Sequence, residues 1–150
     1  MSNAIATRIT KPSPRVTEVT RPFWEGANAR QLVIQRCGDP ACGKALFYPR
    51  VCCPYCKGPK LEWFRALGTG RIISHTTVFR THHDGFNSEV PYVFAAVRLT
   101  EGPCIYAQIP GAPTDGRSLI DQPINVDFIE QEEGRKMPVF RLELTNCSSE

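Results

Sequence analysis

Between Cys37 and Cys56 the chain reads CGDPACGKALFYPRVCCPYC, with Cys37 and Cys42 spaced C-x4-C, Cys53 and Cys56 spaced C-x2-C, and ten residues between the pairs. Two sulfurs so close in sequence face one point only if a tight loop turns the chain. Gly38, Pro40 and Gly43 supply turn formers in the first loop, and Pro54 and Gly58 do so in the second. Four thiolates placed this way close a tetrahedral shell around a single metal ion, which is the spacing of a zinc ribbon. Iron also accepts four thiolates, so zinc is expected on frequency and availability rather than on spacing. A redox dithiol at CPYC would have to open a helix, whereas Lys57, Gly58 and Pro59 follow and break one. Adjacent residues on an extended chain point opposite ways, so only one of Cys52 and Cys53 ligates readily. Cys53 is expected, because its two-residue spacer to Cys56 makes the better knuckle.

A chain of 150 residues holds one ordinary domain or two small ones, and a short module needs a staple, which the metal supplies. No apolar run approaches the length of a bilayer span, and the start lacks a continuous hydrophobic signal region, so a soluble cytoplasmic protein is expected. Seven cysteines, an odd number clustered mostly as knuckles, fit a reducing compartment better than a disulfide scaffold. The net charge of +3 is unevenly spread. Residues 1–36 carry six basic against two acidic side chains, and residues 37–60 carry four against one. Residues 61–145 reverse the balance, with eight against eleven.

Residues 1–19 are polar, contain Pro12 and Pro14 and show no periodicity, so they read as a solvated arm. A short helix is expected next, with Thr20 as N-cap, Pro22 in the first turn and Glu25 near the positive end. Its apolar side carries Phe23, Trp24 and Ala27. The two aromatics either pack on the ribbon or anchor a partner, since large aromatics dominate interfaces. Leu32–Arg36 and Ala45–Tyr48 read as the strands of a ribbon hairpin, completing a unit over 20–60. From residue 61 the pattern becomes strand-like: Leu61–Ala66, Arg71–Arg80, Val90–Leu99, Cys104–Ile109, then alternating Ile124, Val126, Phe128 and Phe140, Leu142, Leu144. Gly68 and Gly70 mark a turn or bulge. About five antiparallel strands over 61–145 predict a small Greek-key barrel of the OB type, with an immunoglobulin-like sandwich second, and 146–150 reads as a tail.

RPFWEG, the knuckles with YPR before CPYC, then EWF, GTGRI and PYVFAAVRLTEG together resemble a bacterial and archaeal family of zinc-ribbon plus OB-fold proteins, once catalogued as a domain of unknown function. The resemblance covers about Pro22 to Leu144. It implies a mainly β fold with a short N-terminal helix, a rubredoxin-like zinc ribbon and a C-terminal five-stranded OB barrel. It further implies a non-catalytic subunit that accompanies a thiolase-like enzyme in a hetero-oligomer, with a coenzyme A thioester as shared substrate. The C-x4-C first knuckle, with GDPA as its spacer, departs from the C-x2-C of many relatives by an insertion of two residues.

Other residues point to other chemistries. A single-stranded nucleic-acid site would use aromatic platforms such as Phe79, Phe86, Tyr92, Phe94 and Tyr106, but the barrel segment is net acidic and alternation assigns most of these to the core. An independent enzyme would need Cys104 as nucleophile or His82, His83 and Asp84 as a polar cluster. HHDG reads as a solvated turn, and a lone strand cysteine as a small buried hydrophobe. His75 reads as structural or surface, and Cys147 falls in the tail. Four thiolates leave no open position on the metal, so the zinc is expected to be structural.

Overall fold

The structure, a computed structural model, describes residues 10–143; Leu144, Cys147 and the tail over 146–150 lie outside the described residues. A helix, α1 (Arg21–Asn28), precedes strands β1 (Val33–Cys37), β2 (Ala45–Leu46) and β3 (Leu61–Arg65). Five strands follow: β4 (Thr69–Val78), β5 (Tyr92–Leu99), β6 (Cys104–Ile109), β7 (Pro123–Glu130) and β8 (Lys136–Leu142). The ordering is antiparallel throughout, β2-β1-β3 in a three-stranded sheet and β6-β5-β4-β7-β8 in a five-stranded one, and β6 lies against β8 to curl the second sheet into a barrel. Among the described residues no helix is long and apolar enough to cross a membrane.

Two expectations change here. Leu61–Arg65 pairs along its whole length with β1, Cys37 opposite Leu61 and Val33 opposite Arg65, so it is the third strand of the ribbon sheet rather than the first of the barrel. With Trp63 and Phe64 at its centre the segment looks like any aromatic-rich strand, and sequence period cannot say which sheet a strand joins. The arm also differs. Its described part is tied to the barrel: Lys11 forms an ion pair with Glu89 and lies 5.1 Å over the Phe86 ring, and Arg135 donates to Ser13 Oγ and to the Pro14 carbonyl. Residues 1–9 lie outside the described residues.

The barrel begins where β4 starts pairing on both sides. Gly70 lies opposite Leu99 on β5 and Ile124 on β7, and a Cβ there would stand 2.3 Å from the Arg98 carbonyl oxygen. Only glycine permits that approach. The bulge falls later, at Ile73, where the register with β5 shifts. It lets β4 turn away from β7 and run on with β5 alone, the bend a small closed barrel needs.

One hydrophobic core serves both sheets. Phe23 and Ala27 of α1, Leu32, Ile34 and Ala45 of the ribbon, and Ile72, Val97, Ile124 and Phe140 of the barrel all belong to a single buried cluster. A second, smaller cluster forms around Cys37, Leu46 and Cys53. Helix and barrel are joined at the surface as well, Asn28 Oδ1 accepting from the Lys136 N–H at 3.0 Å and Arg30 donating to the Phe128 carbonyl at 3.2 Å. Thr20 occupies the N-cap position without capping; its hydroxyl instead accepts from the Thr17 N–H at 2.9 Å.

Asp127 gathers this junction. Its carboxylate accepts from Arg141 Nε at 2.6 Å, from Arg30 at 2.8 Å and from the Phe128 N–H at 2.8 Å. Arg141 foremost, then the Phe128 N–H, with a smaller contribution from Arg30, holds its pKa below the ordinary carboxylate value. A depressed folded-state pKa adds stability above the unfolded value, near 4, and that stability is lost as pH falls through the folded one. Asp127→Asn is therefore expected to cost about 1 kcal/mol at neutral pH. The gap to wild type should close in urea titrations below about pH 4; a gap that persists unchanged there would remove the electrostatic explanation.

Candidate metal centre

The first knuckle is a turn built around Asp39. Its carbonyl accepts from the N–H groups of Cys42 and Gly43, each at 2.9 Å, and its carboxylate accepts from the Ala41 N–H at 2.9 Å. The GDPA segment thus closes as a side-chain-stabilised turn, and Gly43, at φ +57°, leaves it by a left-handed step. The second knuckle turns between Cys53 and Gly58. The Cys53 N–H donates to the Gly58 carbonyl and the Lys57 N–H to the Cys53 carbonyl, both at 2.9 Å. Strands β1 and β2 flank the first knuckle, and β3, which follows the second, pairs with β1 and so brings the two together.

The Sγ atoms of Cys37, Cys42, Cys53 and Cys56 all lie within 4.8 Å of one another. Cys37 and Cys56 are 3.5 Å apart and Cys42 and Cys53 are 3.8 Å apart. Sulfurs about 2.3 Å from a tetrahedral ion stand about 3.8 Å from each other, whereas a disulfide needs about 2 Å. The donor set fits a metal ion and not a pair of bridges. Cys37 and Cys53 are buried, while Cys52 is exposed and stays outside the group.

The thiols do not ionise alike. At Cys37 the Asp39 backbone favours the thiolate, but burial and the neighbouring Cys56, Cys53 and Cys42 sulfurs outweigh it and the pKa is pushed up to about 12. At Cys53 burial opposes ionisation, but the N–H groups of Cys56 and Tyr55 and the adjoining Cys37 and Cys56 thiols prevail and bring it down to about 7. One proton leaves this cluster readily and another is gripped by crowding. A divalent cation relieves that crowding by replacing protons with a central charge, which is the electrostatic reason four sulfurs converge. Zinc bound by four sulfurs is closed to water and substrate, so its contribution is to structure.

Gln35 gave no signal in the sequence beyond a polar residue inside an apolar strand. It is 4% exposed, its side-chain nitrogen donates to the Arg50 carbonyl at 3.0 Å, and its oxygen accepts from the Arg50 N–H at 2.7 Å. This pair of hydrogen bonds fixes the segment entering the second knuckle. Gln35→Ala would strand two backbone groups, and a loss of about 1–3 kcal/mol in thermal or urea unfolding is expected. Zinc should also leave faster in a competition with a chromogenic chelator; identical melting and release in the variant would deny Gln35 this role.

The other candidate residues are dispersed. Phe23 is 6% exposed and packs edge-on to Trp24 at 4.9 Å and against Phe47 at 5.5 Å, so its side chain fills the core instead of standing free for a partner. Trp24 is half-buried with the Arg135 guanidinium 5.9 Å from its ring. His83 Nδ1 accepts from the Gly85 N–H at 3.1 Å and Asp84 accepts from Asn87 at 3.1 Å, so HHDG turns the chain through a short 3-10 segment. Cys104 is half-buried at the start of β6. His75 Nε2 accepts from the Leu119 N–H at 3.0 Å, which fastens the long loop after β6 to β4. The aromatic expectation needs correction. Tyr106 is 59% exposed and Phe94 39%, because β5 and β6 bury Val93, Ala95, Val97 and Ile105 on their inner face and turn these aromatics outward, and Phe79, just past the end of β4, is 67% exposed. YVFAAVRL is apolar at successive positions, so its alternation could not tell inside from outside.

A four-sulfur ribbon sharing its core with a five-stranded antiparallel barrel defines a zinc-ribbon plus OB-fold protein. Two family models match side by side: the rubredoxin-like zinc ribbon domain of ChsH2 over residues 24–62 and the C-terminal OB-fold domain of ChsH2 over residues 63–128. The chain belongs to this ChsH2, or DUF35, family. It is similar to a chain of the solved Ltp2-ChsH2(DUF35) aldolase, with 34% identity and a TM-score of 0.75, covering 87% of this chain and 98% of that one. A DUF35-family protein of unknown function from Sulfolobus solfataricus shares the fold at 14% identity and a TM-score of 0.56, covering 85% of this chain and 87% of that one. In sequence the chain is 34% identical over 131 residues to a probable enoyl-CoA hydratase alpha subunit of Thermomonospora curvata, spanning 87% of this chain but 40% of that protein. It is 40% identical over 92 residues to a DUF35 domain-containing scaffold protein of Pyrococcus furiosus, spanning 61% of this chain and 65% of that one.

Proposed function

We propose that this chain is an accessory subunit of a hetero-oligomeric enzyme that acts on coenzyme A thioesters, with a thiolase-like partner carrying the reactive groups. The observation that carries this reading is the likeness, over nearly the full length of its counterpart, to the ChsH2(DUF35) chain of an aldolase complex. The names of the hydratase subunit and the scaffold protein point the same way. The centre supports it from the chemical side, since sulfur at all four positions fixes a fold and offers no site for substrate. Four reduced thiols suit the cytoplasm.

The test is co-expression of this chain with the thiolase-like proteins of its source. A stable complex by size-exclusion chromatography, with condensing, thiolytic or aldol-cleaving activity on acyl-CoA that the partner lacks alone, is the expected outcome. Partners that never co-purify and whose activity is indifferent to this chain would refute it.

A further inference from the structure

Residues 10–14 of the arm, TKPSP, run without helix or strand from the connection between β4 and β5 to the turn between β7 and β8. Each proline locks its own φ at about −65°, and a residue followed by proline is kept out of the helical region, so Lys11 and Ser13 are held extended too. Little chain entropy is left to lose when such a segment docks. It docks at both ends. At the first, Lys11 pairs with Glu89 and its ammonium lies 5.1 Å from the centre of the Phe86 ring. Gln108 of β6 donates to the other Glu89 oxygen at 3.3 Å, which orients the carboxylate. The arm backbone comes in close here, since a Cβ on Gly85 would stand 3.2 Å from Lys11 Cα. At the second end the Arg135 guanidinium donates to Ser13 Oγ at 2.6 Å and to the Pro14 carbonyl. The two anchors are about 9 Å apart along the chain, at about 3.1 Å per extended residue.

Charge and shape both suit this occupant. Lys11 is the only base, among the described residues, on the walls of a cleft that also carries Glu89, Glu130, Glu132 and Glu133. On its other flank, Lys11 and Pro12 border a cleft of about 290 Å³ whose further walls include Phe86, Tyr92, Phe94, Tyr106 and Met137. A basic side chain beside carboxylates, with proline next to it against aromatic rings, is how extended proline-rich peptides are recognised. The grip is weak, however. Pro12 is exposed and both side chains of the Lys11–Glu89 pair are part-exposed, so water and salt loosen the contacts that hold the arm down.

We propose that this groove is a recognition site for an extended peptide of the form Lys-Pro-x-Pro, closed in cis by residues 11–14 of the chain itself and opened when a partner protein offers the same chemistry in trans. The arm then works as a strap. Its effective concentration beside the groove, of about millimolar order for a short tether, sets the threshold that a competing segment must exceed. The site stands on the contacts of the arm and does not rest on the accessory-subunit reading.

Fluorescence anisotropy of a labelled peptide, TKPSPR, titrated with the zinc-loaded full chain and with its Lys11→Glu variant, tests it. Lys11→Glu sets two carboxylates against each other at Glu89, frees the arm and leaves the remaining groove residues native. The variant is expected to bind the peptide at least about tenfold more tightly than wild type, whose groove is already occupied. In the Lys11→Glu chain, replacing both peptide prolines by alanine, or the peptide lysine by glutamate, should weaken binding about tenfold, and so should adding Phe86→Ala. All these chains should melt like wild type, because neither the arm nor Phe86 belongs to the buried core. No binding to the Lys11→Glu chain at millimolar concentration, equal affinity of that chain and wild type, or a proline-free peptide that binds as tightly as TKPSPR overturns the proposal.

Discussion

Cys53→Ser is expected to release the metal and unfold the ribbon. Cys53 is fully buried, its N–H closes the second knuckle, and its sulfur is 3.8 Å from that of Cys42. With one thiolate gone the shell opens and the remaining sulfurs are left crowded. Structural zinc contributes on the order of 10 kcal/mol to ribbon-like modules, as much as the whole stability of an ordinary domain. The consequence reaches beyond the loops, because Ile34 and Ala45 of the ribbon sit in the same buried cluster as the barrel's Phe140. The variant should carry less than one zinc per chain and lose its cooperative melting transition. Cys52→Ser is the matched control: exposed and outside the sulfur group, it should stay within about 0.5 kcal/mol of wild type. Acid should act as Cys53→Ser does, since protons compete with the metal for sulfur, and the metal-dependent part of the stability falls as pH falls. Full zinc content and unchanged melting in Cys53→Ser would show that another residue completes the shell.

Phe140→Ala is expected to be the most damaging single change in the barrel. Phe140 is wholly buried, pairs with Val126 across the β7–β8 ladder and touches a core shared with α1 and the ribbon. Truncating such a phenylalanine removes its transfer energy and leaves a cavity, at about 3–5 kcal/mol. Because the core is common to both sheets, helix, ribbon and barrel should lose stability together, in one shifted urea transition seen alike by tryptophan fluorescence and by zinc release. Two separate transitions would mean that ribbon and barrel are cored independently.

The sequence carried the metal centre almost completely, for a physical reason: the reach of a knuckle is set by chain length, so sulfur spacing in sequence is a statement about distance in space. The barrel was legible in kind, from alternation and turn residues. What escaped were features of sheet membership and facing. Leu61–Arg65 joins the ribbon because β1 offers it an open edge, a fact of three-dimensional pairing invisible to its own pattern. Phe94 and Tyr106 face outward because strand alternation puts Val93, Ala95 and Val97 of β5 and Ile105, Ala107 and Ile109 of β6 on the inner face, and a run apolar on both faces does not say which one is buried. Phe23 reads the other way: a helix of eight residues is too short to stand alone, and its aromatic side chain joins the core that stabilises it.

X-ray absorption at the zinc edge on the purified full chain, with metal content measured on the same sample, interrogates the centre directly. One zinc per chain surrounded by four sulfurs at about 2.3 Å, with no nitrogen or oxygen neighbour, is the expected spectrum. A shell of three sulfurs and one light atom, or a metal-free chain that keeps its full melting transition, would contradict a closed structural site.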